Sequence, residues 1–190
     1  MAVFARAARL LRHPDTEWRV IAAEPPVPAA LAGYLLPHAC LITFSWMAGL
    51  AMFGLFGARG EPATVLPAAR IAHIGLVTFF GTLLTVALVA AAIWLIAPMY
   101  GVVRAWLRSL QVATYASTPL LLAGLLLLVP VLVLATVLAV VPALYHLHAG
   151  LRAGLGVKAG DATEYVAIVC LAVSVALTLV GGVAGGLGLI

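Results

Sequence analysis

The segment 119–151, PLLLAGLLLLVPVLVLATVLAVVPALYHLHAGL, decides the fold of this chain because it contains no charged residue. As one helix it would be roughly 50 Å long, whereas the hydrocarbon core of a bilayer is about 30 Å thick. The segment therefore forms either one overlong membrane span or two spans joined by a turn. Pro130 lies inside it, and a proline there removes one backbone hydrogen bond and breaks or kinks a helix.

The distribution of lysine and arginine decides between one span and two, because these residues accumulate in cytoplasmic loops. If 119–151 crosses once, the chain has four spans, with six basic residues on the cytoplasmic side and four on the far side. If it crosses twice, the chain has five spans, and the split becomes eight against two. The eight are Arg6, Arg9, Arg12, Arg19, Arg104, Arg108, Arg152 and Lys158, and the two are Arg59 and Arg70. We therefore predict five spans, with the N-terminus in the cytoplasm and the C-terminus on the far side.

The composition of the whole chain is typical of an integral membrane protein. Of the 190 residues, 65% are hydrophobic and 8% are charged, with a mean hydropathy of +1.22. A soluble domain has about half apolar and a quarter charged residues. The net charge of +4 favours contact with anionic lipid headgroups, and no basic run supports nucleic-acid binding. Cys40 and Cys170 lie far apart in apolar stretches, and we interpret them as small buried side chains.

The sequence predicts an all-α, polytopic membrane helical bundle with five transmembrane helices and interfacial amphipathic helices. Residues 1–28 form a cytoplasmic interfacial segment, and residues 29–190 form a single transmembrane domain. The third span is about half the usual length, so we interpret it as a short, tilted or re-entrant helix. The predicted spans are 29–56, 71–100, 119–129, 131–151 and 163–190.

Two segments have the spacing of helices that lie on a membrane surface. In residues 1–13 and again in 102–111, apolar residues mark one helical face and arginines mark the other side. The alternative for 1–13 is a disordered basic tail. Trp18 follows the first of these segments and suits the headgroup region. The predicted membrane-interface residues are Arg6, Arg9, Arg12, Trp18, Arg104, Trp106 and Arg108.

Glycines in the last span have the spacing of a helix-packing motif. Gly181 with Gly185, and Gly182 with Gly186, form two overlapping pairs four residues apart, which let another backbone approach closely. The partner is either another helix of the same bundle or a second protein chain. "GLRAG" at 150–154 repeats the spacing, and loop geometry explains it equally well.

Few residues in the spans suggest chemistry. No predicted span interior contains Asp, Glu, Lys or Arg, which disfavours coupled transport, and the common hydrolase and ATPase signatures are absent. We therefore expect neither an enzyme nor a cofactor. The candidate ligands for haem or a metal are His38, His146 and His148. His146 and His148 point to different helix faces, so we favour hydrogen bonds to backbone or headgroups instead.

The chain resembles the bacterial branch of the Yip family, named for Ypt/Rab-GTPase-interacting proteins. The resemblance rests on five stretches in this order: RLLRHPDTEW (9–18), YLLPHA (34–39), TYASTPLLLAGLLLLVP (114–130), LYHLHAGLRAG (144–154) and SVALTLVGGVAGG (174–186). It implies five spans, a cytoplasmic N-terminus and a C-terminus on the far side of the bacterial inner membrane. Eukaryotic members act in vesicle traffic, associate with Rab GTPases and form complexes with one another.

Three functions remain open from the sequence. The first is a non-enzymatic scaffold that binds membrane proteins, including further copies of itself, or organises the bilayer and its anionic lipids. The second is a small permease, channel or lipid-handling protein with a path lined by Thr78, Thr82 and Thr85. The third is a redox or metal-binding subunit that uses His38 with His146 or His148.

Overall fold

The computed structural model of the protein describes residues 2–54 and 66–186, and within these ranges it contains helices and no strand. The predicted span ends at 55–56 and 187–190, and Arg59, lie outside the described residues. The all-α helical bundle is confirmed. In chain order the α-helices are α1 (Ala2–Arg12), α2 (Pro14–Ala23), α3 (Pro28–Phe53), α4 (Ala68–Ile96), α5 (Trp106–Ala116), α6 (Thr118–Ala123), α7 (Val140–Leu155) and α8 (Ala162–Gly186), with 3₁₀ segments at Ala97–Tyr100, Gly124–Leu128 and Pro130–Ala139.

Four stretches of the described chain are long and apolar enough to cross a bilayer as single spans. A fifth crossing is formed if α5 and α6, with the 3₁₀ segment after α6, are taken together as one span bent by 40°. Because a bilayer core is about 30 Å thick, each of these stretches has the length that a crossing needs. The four single stretches are Pro28–Phe53, Ala68–Tyr100, Pro130–Leu155 and Ala162–Gly186, and the bent pair is Trp106–Ala116 with Thr118–Leu128.

The bent span differs from the prediction of a surface helix at 102–111 followed by a half-length span at 119–129. Helix α5 lies inside the bundle, where it contacts α3, α4 and α7, and every residue from 111 to 116 is buried. The predicted short span thus forms a bent pair with α5, and this pair is either one broken span that begins at Trp106 or a re-entrant segment, as one interpretation of the sequence expected. The periodicity is that of a two-sided helix, and polar side chains of α5 reach protein groups: Arg108 and Gln111 donate to carbonyl oxygens at the end of α2.

The chain reverses direction at Val129, which is extended between two 3₁₀ segments. Helix α6 consequently contacts both α7 and the 3₁₀ segment Pro130–Ala139. The arm before the turn packs tightly on α3. A Cβ at Gly49 would lie 2.7 Å from the carbonyl oxygen of Leu128, and one at Gly124 would meet the side chain of Ile42. Glycine at both positions lets the two backbones approach.

The apolar core lies toward one end of the bundle, where α1 and α2 meet α5 and α7. Helices α4 and α8 join this core through Tyr165, whose hydroxyl donates a hydrogen bond to the Ile93 carbonyl at 2.5 Å. Tyr165 also stacks on Tyr100, with ring centroids 4.5 Å apart. The largest fully buried side chains include Trp18, Tyr165, Leu10, Ile21, Ile93 and Leu151. By contrast, no residue from 171 to 186 in the second half of α8 is buried in the described structure.

Candidate functional site

The N-terminal hairpin, α1 with α2, is held together by ion pairs around Glu17. This carboxylate is almost fully buried and accepts from Arg9 at 3.0 Å, and the Arg6 guanidinium lies 3.2 Å from it. Arg6 also donates to both carboxylate oxygens of Glu24, at 2.5 and 2.8 Å, and to the Tyr115 hydroxyl at 3.1 Å. The hydrogen bonds from Arg6 lower the pKa of Glu24, and the same contact raises the pKa of Arg6. Arg6 and Arg9 thus bind protein carboxylates.

Trp18 anchors the hairpin to α7. Its indole N–H donates to Nδ1 of His146 at 3.2 Å, and its ring lies where a side chain on Gly150 would be, 2.6 Å from the Cβ position. One turn later, a Cβ on Gly154 would lie 2.9 Å from Val112 of α5. Gly150 and Gly154 therefore form the close-approach pair inside this bundle, although their spacing alone left loop geometry as an equal explanation. Trp18, expected at the headgroups, is buried in protein instead.

The polar side of α5 caps the C-terminus of α2. Arg108 donates to the carbonyl oxygens of Ala22 and Glu24 at 3.1 and 3.0 Å, and Gln111 donates to that of Ile21 at 3.3 Å. The last carbonyls of a helix lack intrahelical partners, and a cation near them is favourable. Arg108, predicted to lie at the membrane surface, therefore ties the hairpin to the bundle.

Three other predicted interface residues lie at the protein surface. The guanidinium of Arg104 is 5.0 Å from the centre of the Trp94 ring, and Trp106 meets the same ring edge-on with centroids 6.4 Å apart. Trp106 and Arg12 are exposed. Contact of these side chains with lipid headgroups stays a prediction.

The candidate histidine ligands have separate environments. His38 is buried, with Nδ1 2.8 Å from the Tyr34 carbonyl oxygen and its ring against Phe4 and Tyr34. His146 accepts the Trp18 bond, and His148 lines a pocket between α2 and α7. In the parts of the chain that the structure describes, no group of three or more His, Cys, Asp or Glu side chains is placed to hold a metal ion.

A lateral groove of about 820 Å³ opens between α4 and the second half of α8, with α3 and α6 behind it. Thr78, Thr82 and Thr85 all line it, as does Gly181. Each threonine hydroxyl donates to the carbonyl four residues earlier at 2.8 Å, so none of these O–H groups is free to donate to a solute, and the other lining side chains are mostly apolar. The groove walls are therefore apolar and suit an apolar occupant. A smaller cavity of about 260 Å³ shares the Thr85 wall.

The glycine pairs of α8 have no packing partner in the described chain. A Cβ built on any of the four would have no atom within 4 Å outside its own helix backbone. The same construction at Gly49, Gly124 and Gly150 meets neighbouring elements closely. The first alternative for these pairs, a helix of the same bundle, is therefore not seen in the described structure. The four positions are Gly181, Gly182, Gly185 and Gly186.

The apolar spans and the hairpin docked at one end define a polytopic, all-α integral membrane protein. A family model described as the Yip1 domain matches residues 8–181, which is most of the chain. The chain belongs to the Yip1 domain family, so the resemblance to the Yip family is confirmed, and its bacterial branch stays a prediction. Comparison with curated proteins and with solved structures gave no match.

Proposed function

We propose that the protein is a non-enzymatic membrane scaffold of the bacterial inner membrane that associates with a second copy of itself through α8. The observation that supports this proposal is the unpacked second half of α8 with its two glycine pairs. An apolar helix surface needs no cover in lipid, but each glycine costs a helix about 1 kcal/mol relative to alanine in water-soluble hosts. Close packing of another backbone is what such pairs provide in return.

A second copy fits this surface for two reasons. A two-fold symmetric contact uses the same surface of both copies, and a face of small residues lets two such helices approach each other closely. In addition, Gly181 belongs both to a glycine pair and to the wall of the lateral groove. A helix seated on the glycine face would thus have an open groove beside it that accepts its larger side chains.

The test is native mass spectrometry of the protein released from lipid nanodiscs, with chemical cross-linking as the second measurement. Replacing the four glycines 181, 182, 185 and 186 by leucine should weaken the dimer about tenfold or more, a change of about 1.4 kcal/mol. Ala172→Leu is the control, because it introduces a leucine at an exposed position of α8 outside the glycine pairs. Unchanged dimer in the glycine variant, or a monomeric wild type, would count against the proposal. If a different membrane protein is bound in place of the second copy, the proposed partner is wrong.

A lipid-handling role is the second candidate, and the lateral groove favours it. Its apolar walls and its opening between α4 and α8 fit an acyl chain better than a polar solute. Ala184→Trp would fill the groove from its α8 wall. If an acyl chain occupies the groove, this variant should lose most of the cross-linking to a photoactivatable acyl-chain phospholipid, whereas Ala172→Leu should keep it.

The orientation belongs to the same proposal. The α2–α7 pocket contains Arg19 and Arg152, and a second surface pocket contains Arg108 and Lys158. Basic residues from the hairpin, the start of α5 and the end of α7 are thus gathered at one end of the bundle. Since basic residues accumulate on the cytoplasmic side, we place this end and the N-terminus in the cytoplasm.

A further inference from the structure

The α2–α7 pocket has a volume of about 460 Å³ and lies at the end of the bundle that the hairpin covers. Helix α2 contributes Asp15, Trp18 and Arg19 to its wall, and α7 contributes Tyr145, His148 and Arg152. This pocket is separate from the lateral groove and from the glycine pairs of α8, so it is independent of the proposed dimer contact.

The two arginines of this pocket differ from those that hold the hairpin together. Arg6 and Arg9 are ion-paired with buried or half-buried glutamates. Arg19 and Arg152 are exposed, and neither makes an ion pair with an acidic side chain of the described residues. Two guanidinium groups from different helices thus border one pocket with their hydrogen-bond donors available to a ligand.

One acidic group offsets part of this charge. Asp15 lies in the pocket wall and accepts a hydrogen bond from the Tyr145 hydroxyl at 3.3 Å. The formal charges of the two arginines and the aspartate sum to a single positive charge in the wall. A phosphodiester carries a single negative charge and accepts paired hydrogen bonds from guanidinium groups. The charge of the pocket therefore matches that of one phosphodiester.

The face of α7 that enters the pocket continues into the apolar surface of the protein. Val141, Tyr145, His148 and Arg152 are spaced by four, three and four residues, which places them on one helical face. Val141 is 71% exposed and Tyr145 is 48% exposed, so this face is open to the surroundings of the bundle. It changes from apolar to cationic at the end of the candidate span Pro130–Leu155, the depth at which headgroups lie.

We propose that the α2–α7 pocket is a binding site for an anionic phospholipid. Arg19 and Arg152 donate to the phosphodiester oxygens, His148 borders the headgroup, and an acyl chain lies along the face that contains Tyr145 and Val141. The continuous apolar face distinguishes a lipid from free phosphate, which would gain nothing from it. Because the two arginines belong to α2 and α7, the bound lipid also fastens the hairpin to the bundle.

The test uses native mass spectrometry of the full chain released from nanodiscs of phosphatidylglycerol and phosphatidylcholine. The wild type should retain phosphatidylglycerol in preference, and Arg19→Gln with Arg152→Gln should lower its retention about tenfold or more. Arg70→Gln with Lys158→Gln is the matched control, because it removes the same charge from exposed positions that neither line the pocket nor belong to the predicted interface residues. Equal loss in both double variants would show a general charge effect and overturn the site, as would full retention in the pocket variant.

Two further measurements separate the remaining explanations. Ala153→Trp fills the pocket from an exposed position without changing its charge, and it should reduce lipid retention as the arginine pair does. Thermal unfolding in detergent without lipid should be similar for the wild type and Ala153→Trp, so that a loss of lipid is not a loss of fold. Millimolar inorganic phosphate should leave the lipid bound. Displacement of the lipid by inorganic phosphate would show a free-anion site and overturn the assignment to a lipid.

Discussion

At the scale of single residues, glycine positions determine how closely the helices approach. Gly49, Gly124 and Gly150 each lie where another element occupies the space of a side chain. Gly150 has the clearest consequence, because the ring against it belongs to Trp18, the fully buried anchor of the hairpin. The absence of a Cβ at one position of α7 thus allows the N-terminal segment to dock.

We expect Gly150→Ala to destabilise the protein by about 1–3 kcal/mol, because its Cβ would lie 2.6 Å from the buried ring of Trp18, closer than side-chain atoms normally approach. Gly33→Ala is the control, since a Cβ there has no atom within 4 Å and alanine favours a helix. Thermal unfolding in detergent measures both. Equal stability of the two variants would contradict the packing described for Trp18.

At the scale of elements, the hairpin and α5 depend on each other. Arg108 and Gln111 of α5 donate hydrogen bonds to carbonyl oxygens at the end of α2. Within the hairpin, Arg6 and Arg9 form ion pairs with Glu17 and Glu24. In both the hairpin and α5, several polar side chains therefore bind protein groups.

The Arg6–Glu24 contact makes the docking of the hairpin dependent on pH. Because the pKa of Glu24 is lowered in the folded protein, its contribution to stability is fully present above the ordinary glutamate value of about 4.3. That contribution is lost as the pH falls below this value and through the lowered pKa. We expect the thermal unfolding midpoint of the wild type to fall over this range more steeply than that of Glu24→Gln.

Arg6→Gln is the second variant for this titration, because it removes the guanidinium that donates to both carboxylate oxygens of Glu24. It should flatten the pH profile of the midpoint as Glu24→Gln does. If both variants keep the wild-type profile, the contact between Arg6 and Glu24 does not contribute to stability at neutral pH.

At the scale of the whole molecule, the two ends of the bundle differ in packing. The end that contains the hairpin is closed by Trp18, Tyr165 and their neighbours, and it gathers the basic residues. Toward the other end, α4 and α8 are separated by the lateral groove, and the described part of α8 has no buried residue after Val169. The proposed headgroup site and the proposed dimer surface therefore lie in different parts of the protein.

We expect the two termini to lie on opposite sides of the membrane, because the bent span adds a fifth crossing. A fluorescent protein that matures only in the cytoplasm should stay dark when fused to the C-terminus. The same reporter should be bright when fused after Lys158, in the loop between α7 and α8. A bright C-terminal fusion would show an even number of crossings, and the pair α5 with α6 would then be re-entrant.

The sequence by itself determined the membrane class, the all-α fold and the family. These follow from quantities that do not depend on tertiary contacts, namely apolar composition, span length and the order of Pro and Gly motifs. The turn near Pro130 was also readable from the sequence, because a charge-free stretch too long for one crossing has to bend or turn.

Only the tertiary structure decided which polar residues face protein and which glycines are in contact. Periodicity shows that Arg6, Arg108 and Trp18 lie on particular faces of their helices, but a protein neighbour and a lipid headgroup favour the same amphipathic pattern. Likewise, four-residue spacing marks Gly150 and Gly181 alike, yet Trp18 packs on Gly150 while no described side chain or backbone closes on Gly181. The reason is that spacing along one helix sets a face, whereas the partner of that face comes from residues distant in the chain.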